Sequence, residues 1–300
     1  MDESALTRRR LLQFAAAGFG TASLAACSAP AGPSPASESA TATATASAPH
    51  PASGTPSGPP SVEMSSGSFV STFLQTAPTN WSIAAPVIPG STGTRYPVAL
   101  FLHGLGGNNR GIFDALAAQT VLQGHIAAGG TPFAIASVDG GDWWWHRRAN
   151  GNDPQAMLLS EFLPLLQSRR LDTGRIALLG LSMGGFGALL LASQGTIPGL
   201  RAVAAMSPAV WSRYGVGFGD AFDSPADFAA NDVFGLRPRL ESLPKRIDCG
   251  LEDELYATVR DYVSGLPGTV EGDFRQGGHD DAYWRSILPE VVAFLGRNLA

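Results

Sequence analysis

The chain has 300 residues, 44% hydrophobic and 15% charged, with 20 Lys plus Arg against 25 Asp plus Glu. A net charge of −5 leaves no basic excess to neutralise phosphates, which excludes a nucleic-acid binder. Two cysteines, Cys27 and Cys249, cannot build a disulfide framework, and no Cys/His cluster has zinc-ligand spacing, so no metal is expected.

Residues 1–27 pair a charged start, Thr7-Arg8-Arg9-Arg10-Leu11-Leu12, with a weakly apolar run that ends in Leu24-Ala25-Ala26-Cys27. The run 11–26 is too short, and too interrupted by Gln13, Gly18, Gly20 and Ser23, to span about 30 Å of hydrocarbon. The paired arginines resemble a twin-arginine export signal, and the tetrapeptide resembles a lipobox. Together they imply an exported protein, anchored by lipid on Cys27 to the outer face of the cytoplasmic membrane or to the cell envelope. Residues 28–61 are almost all Ser, Ala, Thr, Pro and Gly. They hold too little apolar surface to offset chain entropy and are expected to be a disordered tether.

From residue 62 to 300 the pattern becomes that of one folded domain. Residues 64–90 read as antiparallel edge strands. Continuous apolar runs at 96–102, 133–138, 175–179, 200–206 and 245–249 read as strands buried on both faces, with a last strand-like stretch at 269–274. Helical windows lie between them at 113–128, 155–168, 186–193 and 255–266, and a final helix covers 283–298. This alternation predicts an α/β fold, with a mostly parallel sheet and helices on both faces. In such sheets the chemistry sits at the carboxyl ends of the strands.

The unusual residues fall at those ends. Gly180-Leu181-Ser182-Met183-Gly184 matches G-x-S-x-G between an apolar strand and a small-residue helix, the setting of a nucleophile elbow. Against this stands the plain reading of a serine capping a helix. A serine nucleophile needs a base oriented by an acid, in the chain order Ser, Asp or Glu, His. His279, in Gly277-Gly278-His279-Asp280-Asp281, is the single histidine downstream of Ser182. For the acid, Glu252, Asp253 and Glu254 follow the strand 245–249; Asp253 is preferred, with Glu252 second. Asp280 and Asp281 fit better as solvated or helix-capping residues. The oxyanion of an acyl-transfer intermediate needs backbone donors. Met183 N–H supplies one, and Leu105 N–H in His103-Gly104-Leu105-Gly106-Gly107-Asn108 supplies the other. The loop 139–148 contains Trp143, Trp144, Trp145 and Arg147, which with His103 are candidates to line the substrate pocket, the tryptophans being equally suited to packing the domain edge.

These segments together resemble the esterase-D-like esterases. They are a branch of the α/β-hydrolases that includes S-formylglutathione hydrolase, feruloyl and acetylxylan esterases, and the mycolyltransferases. The resemblance runs over nearly all of 65–300. It implies the α/β-hydrolase fold, Ser182 as nucleophile, Asp253 rather than Glu252 as acid, His279 as base, and Leu105 and Met183 as oxyanion donors. It implies no cofactor. His103 stands where the mycolyltransferases carry an aspartate. The function expected is an extracytoplasmic serine esterase acting on a small-molecule or cell-envelope ester. An acyltransferase that passes the acyl group to a sugar hydroxyl is the alternative. A catalytically silent envelope-binding protein is a further one.

Overall fold

The computed structural model describes residues 58–300 apart from Ala77 and Phe218; the export signal expected at 1–27, with Cys27, and the expected tether as far as residue 57 lie outside the described residues. The first two strands, β1 (Ser61–Phe69) and β2 (Thr79–Val87), pair antiparallel from Ser61 opposite Val87 to Phe69 opposite Thr79. Next along the chain are β3 (Pro97–Leu102), β4 (Ala134–Val138), β5 (Asp172–Leu181), β6 (Leu200–Met206) and β7 (Lys245–Gly250). Two short strands, β8 (Val270–Glu271) and β9 (Phe274–Arg275), replace the single stretch expected at 269–274. The break between them contains Gly272 at φ 113, a conformation in which an extended run stops.

Among the described residues these strands form a nine-stranded sheet in the order β1-β2-β4-β3-β5-β6-β7-β8, with β9 also on β7. β1 and β2 are antiparallel to their neighbours and the remaining pairings are parallel. The chain steps from β3 outward to β4, then returns to the opposite side of β3 with β5. The strand order therefore reverses between β3 and β5, and ligand crevices of open α/β sheets form at such a point.

Side chains alternate across each strand, so a strand covered on both sides must be apolar throughout. Val98, Leu100 and Leu102 of β3 enter one core with Leu178 of β5 and Val203 of β6, while Ala99, Phe101, Leu179 and Ala204 enter the other. Every residue of β3, β4 and β7 is buried.

The helices differ more from expectation. The window 113–128 is two helices, α1 (Gly111–Asp114) and α2 (Ala118–Ala127), split where Ala117 takes a left-handed φ of 55. The window 155–168 is α3 (Pro154–Met157) and α4 (Leu163–Ser168), joined by a π-turn at Leu158–Phe162. Pro164 lacks the amide an α-helix would need there, and a π-turn accommodates that gap. Then come α5 (Met183–Gln194), α6 (Pro225–Ala230), α7 (Val233–Leu236), α8 (Tyr256–Ser264) and α9 (Asp281–Asn298). Helices α2 and α9 cover one face of the sheet, and α5, α7 and α8 the other. No helix among the described residues is long and apolar enough to cross a membrane.

Candidate active site

The turn between β5 and α5 places Ser182 at φ 53, ψ −115, outside the regions an L-residue prefers. Such a conformation costs roughly 1–3 kcal/mol and persists only where the surroundings enforce it. They do so here through the backbone. Ser182 N–H donates to the Met206 carbonyl at 3.0 Å, and the Ser182 carbonyl accepts from Phe186 N–H at 3.1 Å and Ala209 N–H at 3.0 Å. The flanking glycines are required by space. A Cβ on Gly180 would lie 2.0 Å from the Gly184 carbonyl oxygen, and one on Gly184 would lie 1.9 Å from that of Leu102.

Two further loops meet this turn. After β7 the chain passes Gly250, where a Cβ would fall 2.1 Å from the Gly277 carbonyl oxygen. That crossing, with Glu252 N–H donating to the same carbonyl at 2.9 Å, joins the loop of Asp253 to the loop of His279. His279 Nε2 then lies 2.9 Å from Ser182 Oγ, and His279 Nδ1 lies 2.9 Å from Asp253 Oδ2. The carboxylate is fully buried, and its other oxygen accepts from Leu255 N–H at 2.8 Å. Burial pushes the Asp253 carboxyl up, but hydrogen bonds from His279, Ser207 and the Leu255 amide, with the charge of His279, bring it below its ordinary value. The imidazole is held edge-on by the Trp284 ring, 4.9 Å between centroids.

Glu252 takes no part in this line. It is exposed and its carboxylate accepts from Gln276. Asp280 caps α9, accepting from Tyr283 N–H at 2.9 Å, as expected of a helix-start residue. Cys249 is buried, and burial pushes its thiol well above the ordinary range, so it is a poor nucleophile.

The loop after β3 lies against the elbow, since a Cβ on Gly104 would be 3.4 Å from Ser182 Cβ. His103 is not in an open pocket wall. It is 2% exposed, and Gly140 N–H donates to its Nε2 at 3.0 Å. That leaves the ring proton on Nδ1, which donates to the Gly104 carbonyl at 2.8 Å. Burial holds the imidazole below its ordinary pKa, so it is neutral. Trp144 and Trp145 are likewise core residues, 2% and 1% exposed. Trp144 packs edge-on against Phe186 and Trp211, and Trp145 Nε1–H donates to the His103 carbonyl at 3.1 Å. Trp143 is half-buried and Arg147 is exposed.

The loop 139–148 thus braces the loop after β3. Asp142 accepts from Gly106 N–H at 2.7 Å, and Asp139 accepts from Asn109 N–H at 2.6 Å and from Asn109 Nδ2 at 2.8 Å. Its far end holds down the segment before α6, through Arg148 on Asp223 at 2.9 Å and His146 stacked on Phe222. Sequence reasoning missed Asp139, Asp142, Ser207 and Trp284. The two aspartates sit at a strand's carboxyl end, the signal that could have marked them. Among the described residues no group of three or more His, Cys, Asp and Glu side chains could hold a metal ion.

A serine bonded to an imidazole, itself bonded to a buried carboxylate at the carboxyl edge of this sheet, defines a hydrolase of the α/β-hydrolase fold. A family model described as "Putative esterase" matches residues 76–295. The chain belongs to that family and is a carboxylesterase-type hydrolase. Solved structures share the fold. A ferulic acid esterase matches with a TM-score of 0.64 and 22% identity, covering 79% of this chain and 98% of that one. A fluorophosphonate-binding serine hydrolase of Staphylococcus aureus matches at 0.65 and 17%, covering 78% and 98%. An S-formylglutathione hydrolase of Agrobacterium tumefaciens matches at 0.64 and 15%, covering 80% and 96%. No curated protein matches.

Proposed function

We propose that this chain is an extracytoplasmic serine esterase that hydrolyses carboxylic esters through an acyl-enzyme. The observation that carries the reading is the unbroken line from Ser182 Oγ through His279 to Asp253, with 2.9 Å at each step. Ser182 Oγ attacks the acyl carbon while His279 Nε2 takes its proton. Asp253 fixes the imidazole and stabilises the imidazolium that forms. The proton then passes to the departing alkoxide, leaving Ser182 acylated. Water, activated by the same imidazole, releases the acid and restores the serine.

Two backbone amides would hold the oxyanion. Met183 N–H opens α5, where the first amides have no partner within the helix and the dipole favours negative charge. Leu105 N–H shares a peptide with the Gly104 carbonyl. In a trans peptide N–H and C=O point in opposite directions. His103 Nδ1–H and Gly107 N–H, at 2.8 and 3.0 Å, both grip that carbonyl, so Leu105 N–H is aimed the other way. These steps call for no cofactor.

The leader supports export, and Cys27 supports lipid anchoring. Small-molecule or cell-envelope esters are the substrates this placement favours. The test is a panel of short and long acyl esters with fluorophosphonate labelling. The parent should turn over esters and label, and Ser182→Ala should lose labelling and about 10⁴-fold or more in kcat. Undiminished labelling in that variant would refute the nucleophile. Product analysis with a sugar acceptor separates hydrolysis from acyl transfer. Anchoring is tested by Cys27→Ser, which should move the protein out of the membrane fraction; retention there would refute the lipobox reading.

A further inference from the structure

By sequence His103 is a candidate to line the pocket, yet both nitrogens of its buried ring are committed to the backbone. Gly140 N–H donates to Nε2 at 3.0 Å, and a backbone amide can only donate. Nε2 therefore carries the lone pair and the ring proton sits on Nδ1, which donates to the Gly104 carbonyl at 2.8 Å. The glycine at 140 is part of this arrangement, because a Cβ there would lie 2.4 Å from the Trp145 ring. The same indole packs against the imidazole at 5.1 Å between centroids, and its N–H donates to the His103 carbonyl at 3.1 Å. The residue is thus fixed at both ring nitrogens and at its own carbonyl.

What the ring holds is one peptide. The chain from Gly104 to Gly107 contains three glycines, with Gly106 at φ 70, and glycine leaves a backbone free to turn. Gly107 N–H donates to the Gly104 carbonyl at 3.0 Å, so with His103 Nδ1–H the oxygen has two donors for its two lone pairs. A carbonyl held twice cannot swing without breaking both bonds, and the planar peptide moves with it as a unit. The other polar group of that peptide is Leu105 N–H, directed opposite to the carbonyl. The peptide lies against the elbow, since a Cβ on Gly104 would be 3.4 Å from Ser182 Cβ and 3.4 Å from the Leu181 carbonyl oxygen.

We propose that His103 is a positioning residue for the esterase reaction: its Nδ1–H, in the tautomer that Gly140 N–H selects, holds the Gly104 carbonyl and so keeps Leu105 N–H aimed at the oxyanion that forms on Ser182 attack. This rests on the reading of Ser182 as nucleophile and Leu105 N–H as an oxyanion donor given above. The imidazole touches no reacting atom and moves no proton. It removes the freedom that the glycines bring, so that the donor is in place before charge develops, which is when an oxyanion donor is most effective. Its effect therefore belongs to the transition state and not to substrate binding.

The test separates the two ring nitrogens. In His103→Asn the amide nitrogen falls where Nδ1 stands and still donates to the Gly104 carbonyl, but the side chain stops short of Gly140. In His103→Gln the amide oxygen falls where Nε2 stands and still accepts from Gly140 N–H, but the Gly104 carbonyl loses its side-chain donor. His103→Ala loses both bonds. The Gln and Ala variants should lower kcat about 10- to 100-fold, somewhat less than the outright loss of an oxyanion donor, with KM changed less than about twofold. The Asn variant should keep kcat within about fivefold of the parent, the cost of the looser ring alone. A trifluoromethyl ketone, which adds Ser182 Oγ to form a tetrahedral oxyanion, should bind more weakly in each variant by the factor that kcat falls. That proportion can be read from whichever of the three folds, as checked by melting temperature. The proposal is overturned if the Gln and Ala variants keep kcat within about twofold, or if kcat falls while the ketone binds as tightly as in the parent. It is equally overturned if the Asn variant falls as far as the Gln variant, which would place the effect at Gly140 and not at the Gly104 carbonyl. Failure of the underlying nucleophile reading would appear separately, as turnover retained by Ser182→Ala.

Discussion

Replacing Asp253 by asparagine changes one atom, and the hydrogen bonds around it determine what that atom does. Leu255 N–H donates to Oδ1 at 2.8 Å, so an amide at this position must keep its oxygen there. The amide NH2 is then forced onto the Oδ2 side, facing His279 Nδ1 at 2.9 Å. Two donors cannot share that contact. The imidazole answers by moving its proton to Nε2, which turns a donor toward Ser182 Oγ where an acceptor is needed. The base is lost although every heavy atom stays in place, and the buried negative charge that stabilises the imidazolium goes with it. A wrong-tautomer histidine of this kind costs on the order of 10³- to 10⁴-fold in kcat, or about 4 to 5 kcal/mol of transition-state stabilisation. Thermal stability should change little, because the shape is preserved. The assay is steady-state hydrolysis of an activated ester, with Glu252→Gln as control. Glu252 is exposed and bonded to Gln276, so its loss should leave kcat within twofold. A kcat for Asp253→Asn within tenfold of the parent, or a crippling effect of Glu252→Gln, would refute the assignment of the acid.

Gly184→Ala would put a methyl group 1.9 Å from the Leu102 carbonyl oxygen and 2.7 Å from that of His103, so α5 must shift off β3. Overpacking of this kind costs about 1–3 kcal/mol or more, and both the melting temperature and ester turnover should fall; a variant that melts and turns over like the parent would contradict the close approach. His103 and His146 are both held by burial below their ordinary pKa, so the unfolded chain takes up protons near pH 6.5 that the folded chain refuses. Their stability contribution is therefore complete above about pH 6.5 and falls as pH drops through the window beneath it, by up to about 1.4 kcal/mol per pH unit for each group. Melting curves from pH 7.5 to 5.5 should show this slope, and it should be shallower in His103→Gln; an equal slope in both would mean His103 is not neutral in the fold.

The sheet was legible because burial on both faces leaves a plain trace in sequence. A strand such as 97–102 needs apolar side chains toward two cores, and its run has no polar interruption. The helix windows were located but not their breaks. Nothing in Ala117 announces a left-handed φ, which here follows from how α1 and α2 pack rather than from the residue itself. The segment between β6 and β7 was not resolved into elements at all. Its helices α6 and α7 span Pro225–Ala230 and Val233–Leu236, too short to show helical periodicity, and they are held by capping bonds from Ser224 and Asp232 and by the Arg148–Asp223 pair.

At the site, legibility followed the same division between local and distant causes. Ser182, His279 and Asp253 could be named because each sits in a loop whose glycines and chain order are themselves part of the pattern. His103 and Trp145 were visible as candidates for the pocket wall, with packing at the domain edge an equal reading for the tryptophan. What decides their role is a partner some forty positions away: Gly140 N–H fixes the His103 tautomer, and the His103 carbonyl satisfies the Trp145 indole. The loop, read as either lining a pocket or packing the domain edge, bonds to residues on either side of the Gly104–Leu105 peptide, through Gly140 N–H on His103 and Asp142 on Gly106 N–H. A polar or aromatic side chain in a catalytic loop can meet substrate or hold the backbone that does, and its composition is the same in both cases. Hydrogen-bond partners distinguish them: in this loop Asp139, Asp142 and Trp145 all bond to the chain between His103 and Asn109, and so hold that backbone in place.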